Sequence, residues 1–301
     1  MANTRPDSIH KVVGFHAPCC SAFPPKTGLF SWLCFILRVH TVTDPNPTFS
    51  APGTIKALLE MRALPEYFAA VYCASLLRLA PRGDGHAVVV VPGFMGNKYS
   101  TLRLRKVLIR LGYHTFDWRL GVNRGPVGGM EDALLEQIIA LHARTGRKVS
   151  LIGWSLGGVY ARVLAHKAPE LLRTVITLGS PIRFPHQSSA DSLYQWMTGE
   201  SEPPEALRHV AQPASIPTTA IHSRMDGVVN WRACLADESD ISENIPVTGS
   251  HCGLGHHPLV STIIAERLAQ DPAGWLLFRW QNMLPGVGRV RLRENVVQGS
   301  A

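Results

Sequence analysis

Residues Lys148–Gly158 read KVSLIGWSLGG, and this stretch decides the fold. Lys148 to Gly153 is a short run rich in branched apolar residues, the composition of a strand buried on both faces of a sheet. Ser155 to His166 then takes up helical spacing. Between them, Gly153-Trp154-Ser155-Leu156-Gly157-Gly158 fits the pattern G-x-S-x-G. A tight strand-to-helix turn leaves no room for side chains near its central residue, so glycine is required two positions before and two after it. The serine then projects at a helix N-terminus, where backbone N–H groups without helical partners and the positive end of the dipole favour negative charge. The string alone is weak, because glycine and serine are common. Its setting between a strand and a helix gives it weight over the competing reading, a glycine-rich turn that only packs a helix on a sheet.

The same alternation continues outward. His86 to Val91 (HAVVVV) is a second buried strand, preceded by a turn at Pro81–Gly85 and followed by a glycine-containing loop, Pro92–Asn97. A helix from about Ser100 to Leu111 places Leu104, Val107, Leu108 and Leu111 on one face, with Arg103, Lys106 and Arg110 on the other. His114 to Trp118, Thr174 to Leu178, Thr218 to His222 and Asn244 to Val247 read as strands. Met130 to Ala143 and His257 to Leu268 read as helices. Strands that alternate with helices imply an α/β fold with a mostly parallel sheet flanked by helices. Between the fourth and fifth strands, about residues 181–217 form an insertion long enough to act as a cap, with Tyr194, Trp196 and Met197 in it. Ahead of the core, Ser50 to Leu79 has apolar residues at three- and four-residue steps, and Pro65 is expected to split it into two helices. The expected organisation is an extension over 1–50, a helical segment over 51–85, the core with its insertion over 86–280, and a tail over 281–301.

The 301 residues carry 30 Lys+Arg, 22 Asp+Glu and 46% hydrophobic residues, which excludes a mainly disordered chain. Residues 1–130 hold 15 of the basic and 6 of the acidic residues, a net of +9, and the rest holds 15 and 16, a net of −1, so the first part carries all of the excess behind the net charge of +8. No run of five basic residues and no aromatic-interleaved basic motif accompanies this excess, which argues against nucleic acid as a partner. Basic residues on one helix face instead suggest peripheral contact with an anionic membrane. Six scattered cysteines without a C-x-x-C suit a reduced, cytoplasmic setting, with membrane association or secretion as alternatives. Thr27 to Leu37 (TGLFSWLCFIL) is too short to span a bilayer, and no A-x-A cleavage pattern follows it.

Five segments, VVVVPGFMGN, VSLIGWSLGG, TVITLGSPI, IHSRMDGVV and GSHCGL, together resemble the α/β-hydrolase superfamily, near its bacterial lipase and esterase branch. The resemblance covers roughly residues 53–280; the first 50 have no counterpart. It implies an α/β-hydrolase fold and cleavage of carboxylic esters. A serine of ordinary acidity needs a base, and the base an orienting acid, in the chain order Ser, Asp or Glu, His. Ser155 is then the nucleophile. Asp226, in the family-like Asp-Gly-Val-Val, is the acid, ahead of Asp237, Glu238 and Asp240. His251, in GSHCG after the last strand, is the base, with His256 and His257 as competitors. The oxyanion donors are the backbone N–H groups of Leu156 and, by family likeness, Phe94. Many relatives carry His-Gly at the start of that loop, where this chain has Pro92-Gly93.

Met95, Trp154, Trp196 and Met197 are candidate apolar contacts for a small-molecule ester with an apolar acyl group. No cofactor is required. Zinc at Cys252 and the nearby histidines is disfavoured by irregular spacing, and Cys252 as nucleophile by the absence of an elbow around it. Acyl transfer to another acceptor would use the same residues. A non-catalytic, membrane-associated binding protein on a hydrolase scaffold is the reading from a different class.

Overall fold

A computed structural model describes residues 53–72, 77, 80–125, 129–183, 207 and 209–283. The expected extension, most of the insertion with Tyr194, Trp196 and Met197, and the tail beyond 283 lie outside the described residues.

Six strands form one sheet: β1 Ala87–Val91, β2 His114–Asp117, β3 Val149–Trp154, β4 Leu172–Leu178, β5 Thr218–Ser223 and β6 Ser242–Val247. Their order is β2-β1-β3-β4-β5-β6, and every pairing is parallel. The helices of the core are α3 Leu102–Leu111, α4 Met130–Thr145, α5 Leu156–Lys167 and α6 Pro258–Leu268. Before them come α1 Thr54–Leu58 and α2 Ala63–Tyr72.

Parallel strands need helical crossovers, and these cover both faces of the sheet. Alternate residues of β1 divide between the two cores. Val88 and Val90 join Leu104, Leu108 and Leu111 of α3 and Ile263 of α6. Val89 and Val91 join Leu134 and Ile138 of α4 and Val159 of α5. All five β1 residues are buried, as its valine run predicts. Each buried branched side chain contributes about 1.5–3 kcal/mol relative to exposure. The apolar face of α3 is buried as its spacing predicts, and Gly112 ends the helix at φ 102°, where a left-handed residue caps the chain.

In the N-terminal segment the break differs from expectation. Pro65 lies within the first turn of α2, while the chain tightens into a 3-10 turn over Leu59–Arg62, just upstream. Proline is tolerated there because a first-turn N–H has no helical acceptor to lose.

The strand order reverses at β1, which has β2 on one side and β3 on the other. The loops leaving β1 and β3 therefore meet at the carboxyl edge of the sheet at its topological switch point, the usual place for a ligand in an open parallel sheet.

Candidate active site

Ser155 sits at the end of β3 with φ 53° and ψ −125°, immediately before α5. Positive φ is uncommon for a residue with a side chain and costs of order 1–3 kcal/mol. The glycines around it make the turn possible. A Cβ on Gly153 would lie 2.3 Å from Cα of Gly158, and one on Gly157 would lie 2.5 Å from the carbonyl oxygen of Val91. Leu156 opens α5, so its N–H lies in the turn where a helix leaves donors unpaired.

The loop after β1 presses against this serine. A Cβ on Gly93 would be 2.9 Å from Cβ of Ser155, so only glycine admits the approach. Asn123 fixes the loop from behind. Its Nδ2 donates to the carbonyl of Pro92 at 2.9 Å, its N–H to the carbonyl of Gly96 at 2.8 Å, and its own carbonyl accepts from the Met95 N–H at 2.6 Å. Met95 takes φ 57° and leaves its side chain 41% exposed. Phe94, between Gly93 and Met95, packs partly buried against the core.

Asp226 follows β5 and is buried. Its two carboxylate oxygens have separate partners. Oδ1 accepts the N–H groups of Val228 at 2.8 Å and Val229 at 2.7 Å, which explains the turn written Asp-Gly-Val-Val. Oδ2 meets Nδ1 of His251 at 2.6 Å. Gly227 is glycine because a Cβ there would lie 2.2 Å from the carbonyl oxygen of Lys56, in the N-terminal segment.

His251 follows β6 and is fully buried. Besides the Asp226 bond, its N–H donates to Oε1 of Glu60 at 2.8 Å, and its carbonyl accepts from Nε1 of Trp154 at 3.2 Å. Burial opposes the charged imidazole. The charge and hydrogen bond of Asp226, with the charge of Glu60, outweigh it, so the pKa is held above its ordinary value. Nε2 is buried and makes no hydrogen bond among the described residues, Ser155 included. Catalytic contacts are often loose until substrate binds. Gly179, at φ 55°, flanks the Asp226–His251 bond: a Cβ on it would lie 3.1 Å from both Asp226 Oδ2 and His251 Nδ1.

The competing residues are placed elsewhere. Asp237 pairs with Arg183 at 2.5 Å, and Glu238 accepts from Asn244. His256 packs edge-on against Trp154 and Tyr67. Burial pushes its pKa down to about 4, with Arg103 adding to the shift and Glu66 opposing it. His257 is the residue before α6. Burial, followed by the charge of Glu60, raises the Cys252 thiol well above its ordinary value, which leaves little thiolate. Among the described residues, no three His, Cys, Asp or Glu side chains are grouped to hold a metal ion.

Trp154, expected as a substrate contact, is largely buried. Its ring is buried under the His251 turn, against Gly255 and His256, and its N–H supports the His251 carbonyl. Alternation along β3 sends Trp154 to the α3–α6 face of the sheet. Trp196 and Met197 lie outside the described residues.

Sequence reading missed Asn123, Glu60 and Glu66. A signal did exist for the last two. They are the only acidic residues between 51 and 83, in a stretch otherwise apolar and basic.

No family model matches the chain, and no curated protein does. Several solved structures are similar in chain path. Aspergillus fumigatus lipase B is 17% identical with a TM-score of 0.49, over 62% of this chain and 53% of the lipase. The match thus spans about half the length of that lipase. A structure reported for LipS and LipT, two metagenome-derived lipolytic enzymes, is 18% identical with a TM-score of 0.47, over 62% of this chain and 93% of its own. A monoacylglycerol lipase of Paleococcus ferrophilus is 13% identical with a TM-score of 0.45, over 62% of this chain and 96% of its own. What places the chain is its own topology: a serine turn after β3, an acidic loop after β5 and a histidine turn after β6 of a wholly parallel sheet. The strand order and the helices on both faces of the wholly parallel sheet, more than any likeness in sequence, give this chain the α/β-hydrolase fold.

Proposed function

We propose that the chain is a serine hydrolase that cleaves carboxylic esters with Ser155 as nucleophile, His251 as base and Asp226 as the orienting acid. The observation that carries this reading is the buried 2.6 Å bond between Asp226 and His251, on loops at the same sheet edge as the strained Ser155 turn. Nε2 of His251 takes the Ser155 proton as Oγ attacks the ester carbonyl carbon. The backbone N–H groups of Leu156 and Phe94 receive the developing oxyanion. His251 then gives the proton to the departing alcohol, leaving an acyl-enzyme. A water, deprotonated by His251, attacks the acyl carbon, and the tetrahedral adduct collapses to free acid and Ser155. Met95, half exposed beside the Gly93 loop, favours an apolar acyl group, and Trp196 and Met197 are proposed to add to that surface. Treatment with a fluorophosphonate should add one covalent adduct at Ser155, absent in Ser155→Ala. Folded protein that takes no label and hydrolyses no p-nitrophenyl ester would overturn the assignment.

A specific feature also favours work at a lipid surface. Ile55, Leu58, Met61, Leu64, Phe68 and Tyr72 are exposed at three- and four-residue steps along α1, the 3-10 turn and α2, in the segment that meets the acid and base loops. Apolar surface this continuous is unusual on a solvated face. No helix among the described residues is long and apolar enough to cross a membrane, so the contact proposed is peripheral. Co-sedimentation with anionic liposomes should weaken in Met61→Glu/Phe68→Glu; unchanged binding would exclude this face.

A further inference from the structure

Glu60 lies in the 3-10 turn between α1 and α2, and it is 5% exposed. A buried carboxylate is costly unless several donors converge on it. Here three backbone N–H groups do. Oε1 accepts from Gly227 at 2.8 Å and from His251 at 2.8 Å, and Oε2 accepts from Cys252 at 3.0 Å. Gly227 is the residue after Asp226, and the other two donors belong to the histidine turn. One side chain, 167 and 191 residues away in sequence, therefore joins the acid loop to the base turn.

Its neighbours reinforce the junction. Nη2 of Arg62 donates to the carbonyl of Met225 at 2.6 Å and to that of Gly249 at 3.0 Å. Glu66 accepts from the N–H of Ser250 at 3.0 Å and from its hydroxyl at 2.5 Å. Lys56 Nζ donates to the carbonyl of Arg224 at 2.9 Å. The acid loop and the histidine turn are also linked directly, by the Ser223 hydroxyl to the Gly249 carbonyl at 2.7 Å. That bond lies at the base of the loops; Glu60 holds the residues adjoining the acid–base pair.

On the hydrolase reading above, we propose that Glu60 is a positioning residue for this site: its carboxylate holds the Asp226 loop and the His251 turn together, so that the pair is assembled only with the N-terminal segment seated on the core. Glutamate is needed here rather than glutamine. An amide offers one acceptor oxygen and turns a donating NH2 toward the third N–H, which leaves that group unpaired. The negative charge has a second effect, because it lies among the groups that act on His251. The titratable and charged groups around this junction are Asp226 on the acid loop, Glu60, Arg62 and Glu66 on the N-terminal segment, Cys252, His256 and His257 on the histidine turn, and buried Cys234 near Asp226. Asp226 and Glu60 are the two that favour its imidazolium.

The test compares the full chain with Glu60→Gln and Glu60→Asp on p-nitrophenyl butyrate across pH. Glu60→Gln should lose about 10- to 100-fold in kcat, the scale of a small misplacement of reacting groups, with KM within about threefold. The ascending limb of its kcat/KM profile should move to lower pH. Glu60→Asp keeps the charge on a shorter arm, so its limb should stay near that of the wild type while kcat remains reduced. Wild-type kcat and an unmoved limb in Glu60→Gln would overturn the proposal. So would failure of both variants to fold beside a folded Ser155→Ala, since Glu60 would then serve the fold alone. A wild-type chain that takes no fluorophosphonate and turns over no ester would instead defeat the hydrolase reading itself.

Discussion

Two Ser–His–Asp sets occupy opposite ends of β3. At its amino end, Ser150 Oγ meets His86 Nε2 at 2.8 Å, and His86 Nδ1 meets Asp84 Oδ1 at 2.5 Å. At its carboxyl end, His251 meets Asp226 at 2.6 Å, and Ser155 stands on the turn that follows. By hydrogen bonding alone the first set is the more complete, since its serine–histidine bond is already formed. Nevertheless it lacks what chemistry needs. Ser150 lies inside β3, where the register against β4 shifts, not on a turn at a helix N-terminus, and both it and His86 are buried. Asp84 is shared with Arg147 at 2.5 Å and Arg173 at 3.6 Å. Burial, joined by those two arginines, pulls the His86 pKa below its ordinary value despite Asp84. At the other end, burial is outweighed by Asp226 and Glu60, and the His251 pKa rises. A base that must receive a proton in the transition state belongs where the imidazolium is favoured. A strained turn at a helix N-terminus and the sign of the surrounding charge distinguish the candidate nucleophile from a structural hydrogen-bonded chain.

The sharpest way to break this comparison is to remove each serine in turn. Ser155→Ala should lower kcat by about 10⁶-fold and abolish fluorophosphonate labelling. Ser150→Ala should leave kcat within about twofold and cost about 1–3 kcal/mol of stability in urea melts, the scale of a lost buried hydrogen bond. Loss of labelling in Ser150→Ala would reverse the assignment.

Next in size is Asp226→Asn, expected to lower kcat by about 10⁴-fold by favouring the wrong imidazole tautomer. Gly179→Ala adds a methyl at a positive φ and against the Asp226–His251 bond. A loss of roughly 10²-fold in kcat is expected, with KM little changed. Wild-type rates in steady-state assays would show that this pair has room to move.

The smallest effect is on pH, and the two histidines differ in sign. His251 must be neutral to act as base. Its raised pKa therefore puts the ascending limb of kcat/KM above 6.5, the ordinary imidazole value. For stability, the preference of folded His251 for its charged form is fully present below 6.5 and is lost as pH rises through the folded pKa. His86 is depressed, so its contribution is present above 6.5 and is lost as pH falls through the folded pKa. Thermal melts of His86→Asn should thus show less loss between pH 7 and pH 5 than those of the wild type. An equal loss would mean that His86 is not an acid-sensitive point of the fold.

Much of this molecule is local in origin, and that part was legible. The valine run of β1 marks a strand buried on both faces, and the apolar stripe of α3 marks its inward side. The glycines around Ser155 announce a turn that no other residue could make. Asp226 and His251, which the structure pairs by a hydrogen bond, stood out as candidates because each follows a strand in a short motif of small residues. Other features had no local signature. A helix break was expected at Pro65, but tolerance of proline in a first turn moved it to Leu59–Arg62. The support that the Trp154 N–H gives the His251 carbonyl, 97 residues away, had no signature in the sequence.

By itself, then, the sequence determined the elements and the residue types the chemistry requires. Periodicity, turn geometry and side-chain acidity are properties of neighbouring residues. Only the tertiary structure showed a second serine–histidine–aspartate chain, Ser150, His86 and Asp84, and the opposite charge environments of the two histidines. It alone brought Asn123 behind the Gly93 loop and Glu60 between the acid and base loops. The physical reason is common to both. These side chains bind backbone N–H and C=O groups, which every residue carries alike, so no pattern of side chains announces the contact before the chain has folded.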